Sequence, residues 1–423
     1  MITITDTCRF SAPSFLSQYL NLEETVIFDI ETTGFSPKTS SIYLIGVLIP
    51  GYKKWHLTQW LASSPEDETA VLTAFLEFLS NTRCLVHFNG DAFDLPFLEK
   101  RCRVHGLSSI WKSMESIDLY RRFRPLKKLL KLSSMTLKSL EEFLSLSRKD
   151  TLDGGDLISV YHQFSQTKSP DLQQLLLLHN HDDLLGTASL FSLFAYTGLL
   201  EGKYELSGTP EILKNEDSFE LILRLSLAAP LPKQISFAFP HGYLTAGGSS
   251  ANLSIHGICG TLKYFFDNYR SYYYLPLEDT AIHKSVAAYV DKKHRIPAKA
   301  STCYCRRTSL FLPGNAASAP PKFRLDYKDS FFYQECTEEF LRDPQALYAY
   351  VREFLCMLYR IGAIVPYCRK NEQTKIVLPD FTRSAHTTTY LRSDPLDRHS
   401  SRSARFEFYC SDHSHETCHF HKR

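Results

Sequence analysis

The sequence predicts an α/β fold: a mixed sheet with helices on its faces, followed by a β-rich region and a polar C-terminal tail. Three observations carry this. Residues 25–60 read as three strands, TVIFDIE, SIYLIGVLI and KKWHLTQWL, separated by turn residues including Gly34, Pro37, Pro50 and Gly51. From about Pro65 to Leu200 helical and strand patterns alternate, which places helices on the faces of a sheet. From about Ser218 to Gln334 the pattern is strand-rich, and beyond about Arg383 it is polar and rich in Ser, His and Arg. Such a tail buries little apolar surface and is expected to be disordered over 383–423.

The elements follow in order. A helix is predicted from about Pro65 to Leu79, with Val71, Leu72, Phe75, Leu76 and Leu79 on one face. CLVHFNG reads as a buried strand feeding a helix that opens at Asp91, and SIDLYRRF as a short strand or edge. Helical patterns then dominate from Leu126 to about Leu200, the longest holding LQQLLLLHNHDDLLGTASLFSLF. Gly202, Gly208 and Pro210 mark residues 201–217 as a linker. The boundaries expected are therefore a first domain at 22–200, a linker at 201–217 and a β-rich accessory domain at 218–362. That domain ends in a helix over 336–362, with Phe340, Leu341, Leu347, Tyr350, Val351 and Leu355 at helical spacing.

The chain has 423 residues, 43% hydrophobic and 22% charged, an ordinary globular composition with room for two or three domains. A formal net charge of +2 names no partner, so electrostatic reasoning must rest on local patches. The 11 cysteines show no framework spacing and no CxxC pair. No signal-peptide pattern and no apolar run long enough to span a membrane stand out. A reducing, cytoplasmic home without a membrane partner is the expectation.

One feature conflicts with a simple buried strand. Val26, Ile27, Phe28 and Ile30 are apolar, yet Asp29 and Glu31 sit among them. Residues i and i+2 of a strand point to the same side, so the two carboxylates project together. Two carboxylates in an apolar setting are costly unless a cation compensates them, and Mg²⁺ and Mn²⁺ take such oxygen ligands. Further acids stand at element ends. Asp91 and Asp94 lie where a strand feeds a helix, and Asp182 and Asp183 lie on the long helix. His179 is one turn before Asp183 and shares its face. Asp91 reads as a helix N-cap and Asp182 as a neighbour of the site rather than a member.

DIETTG, then NGDAFD, then H-x-x-x-D resemble the three motifs of the DEDD-type 3′–5′ exonucleases, which have an RNase H-like fold. DIETTGFSPKTSSIYLIG, HFNGDAFDLPFLEKRC, RPLKKLL and LLLLHNHDDLLG look most like the YprB-like branch of that superfamily. The resemblance covers roughly residues 22–200. It implies that Asp29, Glu31, Asp94 and Asp183 hold two divalent ions, Mg²⁺ or Mn²⁺. His179 falls where many relatives have a tyrosine that orients the attacking water, and a histidine there can also act as general base. The implied reaction is hydrolysis of phosphodiester bonds from the 3′ end of single-stranded DNA or RNA. The alternatives are an RNA-preferring or endonucleolytic enzyme of the same fold, or a non-catalytic nucleic-acid-binding or scaffold protein with a vestigial site.

Arg121, Arg122, Arg124, Lys127, Lys128 and Lys131 form a dense basic run, either a solvated face or a phosphate track. Thr32, Asn89, Arg121, Arg122, Lys127 and Lys128 are the residues expected to touch the nucleic acid. Tyr264, Phe265, Phe266, Tyr269, Tyr272, Tyr273 and Tyr274 can stack bases, although such clusters more often form core. Cys410, His413, His415, Cys418, His419 and His421 have zinc-ligand chemistry but match no zinc-module spacing.

Overall fold

The computed structural model describes residues 1–51, 54–150, 152 and 154–363. The expected tail at 383–423, with its Cys/His cluster, lies outside the described residues.

The first sheet contains β1 (Ile2–Cys8), β2 (Thr25–Thr32), β3 (Ile42–Ile49), β4 (Trp55–Leu61), β5 (Cys84–His87) and β6 (Glu115–Asp118) in the spatial order β1-β4-β3-β2-β5-β6. The β2, β3 and β4 strands, all three read from the sequence, are antiparallel, while β2–β5 and β5–β6 run parallel. Strand β1, which the sequence did not announce, pairs along its length with β4. Helices α1 (Glu68–Phe78), α2 (Asp94–Val104), α3 (Leu119–Phe123), α4 (Leu137–Phe143), α5 (Gly154–Thr167), α6 (Pro170–Ser189) and α7 (Phe194–Glu201) flank this sheet.

Alternation along β2 divides its side chains between two apolar clusters. Val26, Phe28 and Ile30 pack with Phe75, Phe97 and Tyr161 on one side, and Ile27 packs with Leu184 and Leu119 on the other. Asp29 and Glu31 have the parity of Ile27, and α6 covers that face.

Helix α6 opens with Pro170 at its first turn, where the missing N–H costs nothing. It runs on through a tight turn into α7, which ends at Gly202 with φ 90°, a left-handed cap that favours glycine. Contrary to the sequence expectation, Pro170–Glu201 is long and apolar enough to cross a membrane by length and composition. Asp182 and Asp183 interrupt the run and conceal it in the sequence. It is a core element here, since 78% of its most apolar window is buried inside the protein.

The β-rich region begins earlier than expected. Residues 201–217 are not a linker: β7 (Tyr204–Lys214) pairs with β8 (Ser218–Phe239), which pairs with β9 (Gly242–Phe265). Gly208 and Pro210, the apparent linker signals, sit in a bulge where the β7 register slips between Ser207 and Glu211. In β8, Phe219, Leu221, Leu223, Leu225 and Leu227 alternate inward. They join α7 and the C-terminal helix in one core cluster with the first sheet's lower face.

A small sheet follows: β10 (Tyr272–Leu275), β11 (Thr280–His283) and β12 (Ile296–Pro297), with the short helix α8 (Lys284–Ala287). Next come β13 (Tyr304–Pro313), β14 (Phe323–Arg324) and β15 (Tyr333–Glu335). Strands β13, β15, β14 and β9 pair in that order, and β13 pairs back onto β9, closing a four-stranded ring. Leu262, Phe311, Phe323 and Tyr333 fill it. The terminal helix expected over 336–362 is two helices, α9 (Glu338–Arg342) and α10 (Pro344–Ala363). Asp343 precedes proline and is extended (φ −90°, ψ 102°), which breaks the helix there.

Candidate active site

The long-range pairing of Asp29 with α6 is set by a missing side chain. Gly46 stands opposite Asp29 in β3, and a Cβ there would collide with Asn180 Oδ1. The open space admits Asn180, whose Nδ2 donates to Asp29 Oδ2 at 2.9 Å. Gln59 Nε2 in turn donates to Asn180 Oδ1 at 2.9 Å. Asn180 is fully buried, so this relay fixes the carboxylate's orientation.

Around Asp29 the four predicted acids converge. Burial, followed by the charges of Asp183, Glu31 and Asp94, drives the Asp29 carboxyl well above its ordinary range. Glu31 is pushed up by burial and by Asp183, Asp94 and Asp150. Asp94, at the first position of α2, is pushed up to about 7, chiefly by burial. Mutually repelling carboxylates in a dry setting favour a bound cation.

His179 stands among them. Its Nδ1 lies 2.6 Å from Asp150 Oδ2, and because a carboxylate only accepts, Nδ1 carries the proton. Nε2 then faces Glu31 Oε1 at 3.5 Å and Asp183 Oδ2 at 3.4 Å. Glu31, His179 and Asp183 each offer an atom within 4.8 Å of the others, close enough to share one ion. Hard carboxylate oxygens fit Mg²⁺ or Mn²⁺, and the Asp150 contact fixes which way the His179 ring points, leaving its single Nε2 lone pair for either an ion or a proton but not both.

Several members escaped the sequence. Arg148 pairs with Asp183 from one side and lies 3.4 Å from the buried Glu141 on the other. Asp182 accepts from the Lys149 and Asp150 backbone N–H groups at 2.8 and 3.0 Å, pinning the loop that carries Arg148 and Asp150. SRKD has no local pattern that points to the site, because the site partners of Asp150 and Arg148, His179 and Asp183, lie 29 and 35 residues away. The HNHDD cluster inside a leucine run was the one available signal for Asn180.

The other assignments divide. Asp91 does not cap α2, as expected from sequence: the helix starts at Asp94 with Phe93 as N-cap. The chain turns through Asn89 (φ 64°) first, and the Asp91 carboxylate is taken by Ser116 Oγ at 2.8 Å and Arg121 Nη1 at 2.6 Å. Asn89 N–H donates to Asp118 Oδ1, which also caps α3 through Tyr120 and Arg121 N–H. Arg122 pairs with Glu201 at 2.5 Å, and Thr32 Oγ1 donates to Gly34 O at 2.9 Å. Arg124, Lys127, Lys128 and Lys131 instead line a groove of about 1090 Å³ with Asn89, Phe88 and Tyr120. The basic run thus supplies two ion-paired arginines and a cationic groove beside the β5–α2 turn.

Residues 26–195 match the profile of the RNase_H superfamily. The chain is 29% identical over 174 residues to YprB of Bacillus subtilis (strain 168), described as uncharacterized; the alignment spans 40% of this chain and 42% of that protein. The resemblance read from the motifs therefore holds, while the chain spans about two fifths of the curated relative's length. Among solved structures, the family B DNA polymerase of Pyrobaculum calidifontis overlaps 42% of this chain and 25% of its own (16% identity, TM-score 0.33). E. coli Exonuclease I in complex with a dT13 oligonucleotide overlaps 48% and 54% (11% identity, TM-score 0.29). The architecture is the expected one: an RNase H-like mixed sheet with flanking helices, then a β-rich region.

Proposed function

We propose that this protein is a divalent-metal-dependent nuclease that hydrolyses phosphodiester bonds, acting 3′ to 5′ on single-stranded ends. The observation that carries the proposal is the convergence of Asp29, Glu31, Asp94 and Asp183 into one mutually repelling group with His179 among them.

Asp29, Glu31, Asp94 and Asp183 would hold two Mg²⁺ or Mn²⁺ ions. Such ions supply charge stabilisation for the attacking and leaving oxygens of an in-line displacement. The chain's own residues do the rest. Asp150 fixes the His179 ring so that the Nε2 lone pair faces the acids and can accept a proton from an attacking water. Asn180 holds Asp29, and the Asp182-anchored loop holds Asp150. Asn89, Lys127 and Lys128 in the cationic groove would carry the strand's phosphates. Arg121 and Arg122, already ion-paired, would contribute field rather than direct contacts.

The test is a Mn²⁺ digestion of 5′- and 3′-labelled single- and double-stranded DNA and RNA. A ladder shortening from the 3′ end, absent in Asp29→Asn, is expected. Cleavage at wild-type rate in Asp29→Asn would falsify the assignment. One observation favours a second reading, a non-catalytic nucleic-acid-binding protein: the Arg148 guanidinium already neutralises Asp183. Thermal melting separates the two. A metal that binds only the folded state raises the midpoint; no rise with Mn²⁺ supports the vestigial site.

A further inference from the structure

Strand register places a row of cations on the outside of the four-stranded ring. Lys263 of β9 stands opposite Arg306 of β13 on one side and Arg324 of β14 on the other. Directly paired residues share a face, so the three side chains project together from adjacent strands about 4.8 Å apart. Their neighbours Leu262, Phe311 and Phe323 have the opposite parity and fill the ring. Like charges placed directly opposite one another destabilise a sheet. Arg306 pairs with Asp279 at 3.2 Å and Lys263 Nζ lies 4.6 Å from the centre of the Tyr304 ring, while Arg324 has no ion pair among the described residues. The row therefore favours an anion.

The next register row is aromatic. Phe265 pairs with Tyr304, and Tyr327 meets Phe265 edge-on at 5.4 Å. Phe265, Tyr327, Arg324 and Lys322 line a cleft of about 530 Å³, and Tyr327 is 40% exposed. Flat apolar faces beside a line of cations match a ligand with a repeating negative backbone and planar rings. We infer that this face of the ring is a second binding site for single-stranded nucleic acid, separate from the groove at residues 124–136. It goes beyond the nuclease proposal and stands or falls independently of it.

The experiment uses the full chain in EDTA, so that no strand is cut, with a 5′-fluorescent 20-mer followed by anisotropy. Lys263→Gln/Arg324→Gln is expected to weaken binding and to flatten the slope of log K against log salt by about 0.7 for each phosphate no longer neutralised. Phe265→Ala is expected to weaken it about fivefold or more through lost stacking. Melting midpoints within the wild-type range show that the variants fold. Unchanged affinity and slope in both variants overturn the inference, as does a wild type that binds no strand. Equal displacement by polyglutamate of matched charge also overturns it, since the site would then read charge alone. Cleavage of short oligonucleotides by the double variant at the wild-type rate leaves the nuclease proposal intact whichever way binding falls. Binding without any cleavage sinks that proposal and leaves this one standing.

Discussion

At the residue scale, the site depends on polar groups set in apolar surroundings by close approach. Gly46→Ala is expected to cost about 1–3 kcal/mol in denaturant unfolding, because Asn180 must move and the packing around Leu184 with it. The same substitution should lower cleavage by releasing Asp29 from its 2.9 Å hydrogen bond. His87 offers a pH probe outside the acidic group. It is fully buried, and its Nδ1 accepts Gly90 N–H at 3.0 Å while Nε2 meets Ser116 Oγ at 2.8 Å. Burial holds its pKa below the ordinary 6.5, so the unfolded chain binds the proton more readily than the folded one. Stability is then complete above about pH 6.5 and falls as the pH drops through that value toward the folded-state pKa. His87→Asn should flatten that acid limb in melting curves taken from pH 7 to 5. The pairing of Asp29 and Glu31 was legible because alternation in a strand is local. Arg148 and Asp150 were not, because nothing in their own neighbourhoods distinguishes a buried ligand holder from a surface residue, and Asn180 showed only as part of the polar HNHDD break in a leucine run.

At the element scale, one carboxylate joins two turns. Asp118 Oδ1 accepts N–H groups from Asn89, Tyr120 and Arg121, so it caps α3 and fixes the turn leading to Asp94. Asp118→Ala is expected to destabilise the protein by about 1–2 kcal/mol, read by chemical denaturation. It should also reduce cleavage, since the turn that delivers Asp94 loosens. Strands β2, β3 and β5 were readable from their apolar runs, and α6 from its leucines. The start of α2 was misplaced because an acid just after a strand looks like a cap until Arg121, 30 residues away, is seen to claim it. The break at Asp343 was legible in principle, since a proline follows it.

At the scale of the whole molecule, the two regions that composition separates share one interior. The described residues up to Ala363 fall within a single compact unit. Leu199 and Leu200 of α7 pack in the same cluster as Leu223 and Leu225 of β8 and Leu347 and Val351 of α10. Tyr196 Oη donates to Lys233 O at 2.7 Å, and Tyr348 Oη to Gly202 O at 2.7 Å. Truncation after Lys203 would bare that face. A chain ending there is expected to bind a hydrophobic dye and to lose a sharp melting transition, while the full chain melts cooperatively. The sequence could not show this, because glycine and proline announce a change of direction and not whether the chain that follows packs back.

The slip in β7 has a further meaning. Among the described residues that strand is the outermost of its sheet, so its outer row of backbone donors and acceptors pairs with no further strand. Gly208, with φ 73°, and Pro210, which lacks an N–H, spoil that row midway along. A second molecule therefore finds no continuous template on which to add a strand. The irregularity that resembles a hinge in the sequence is a guard against edge-to-edge aggregation.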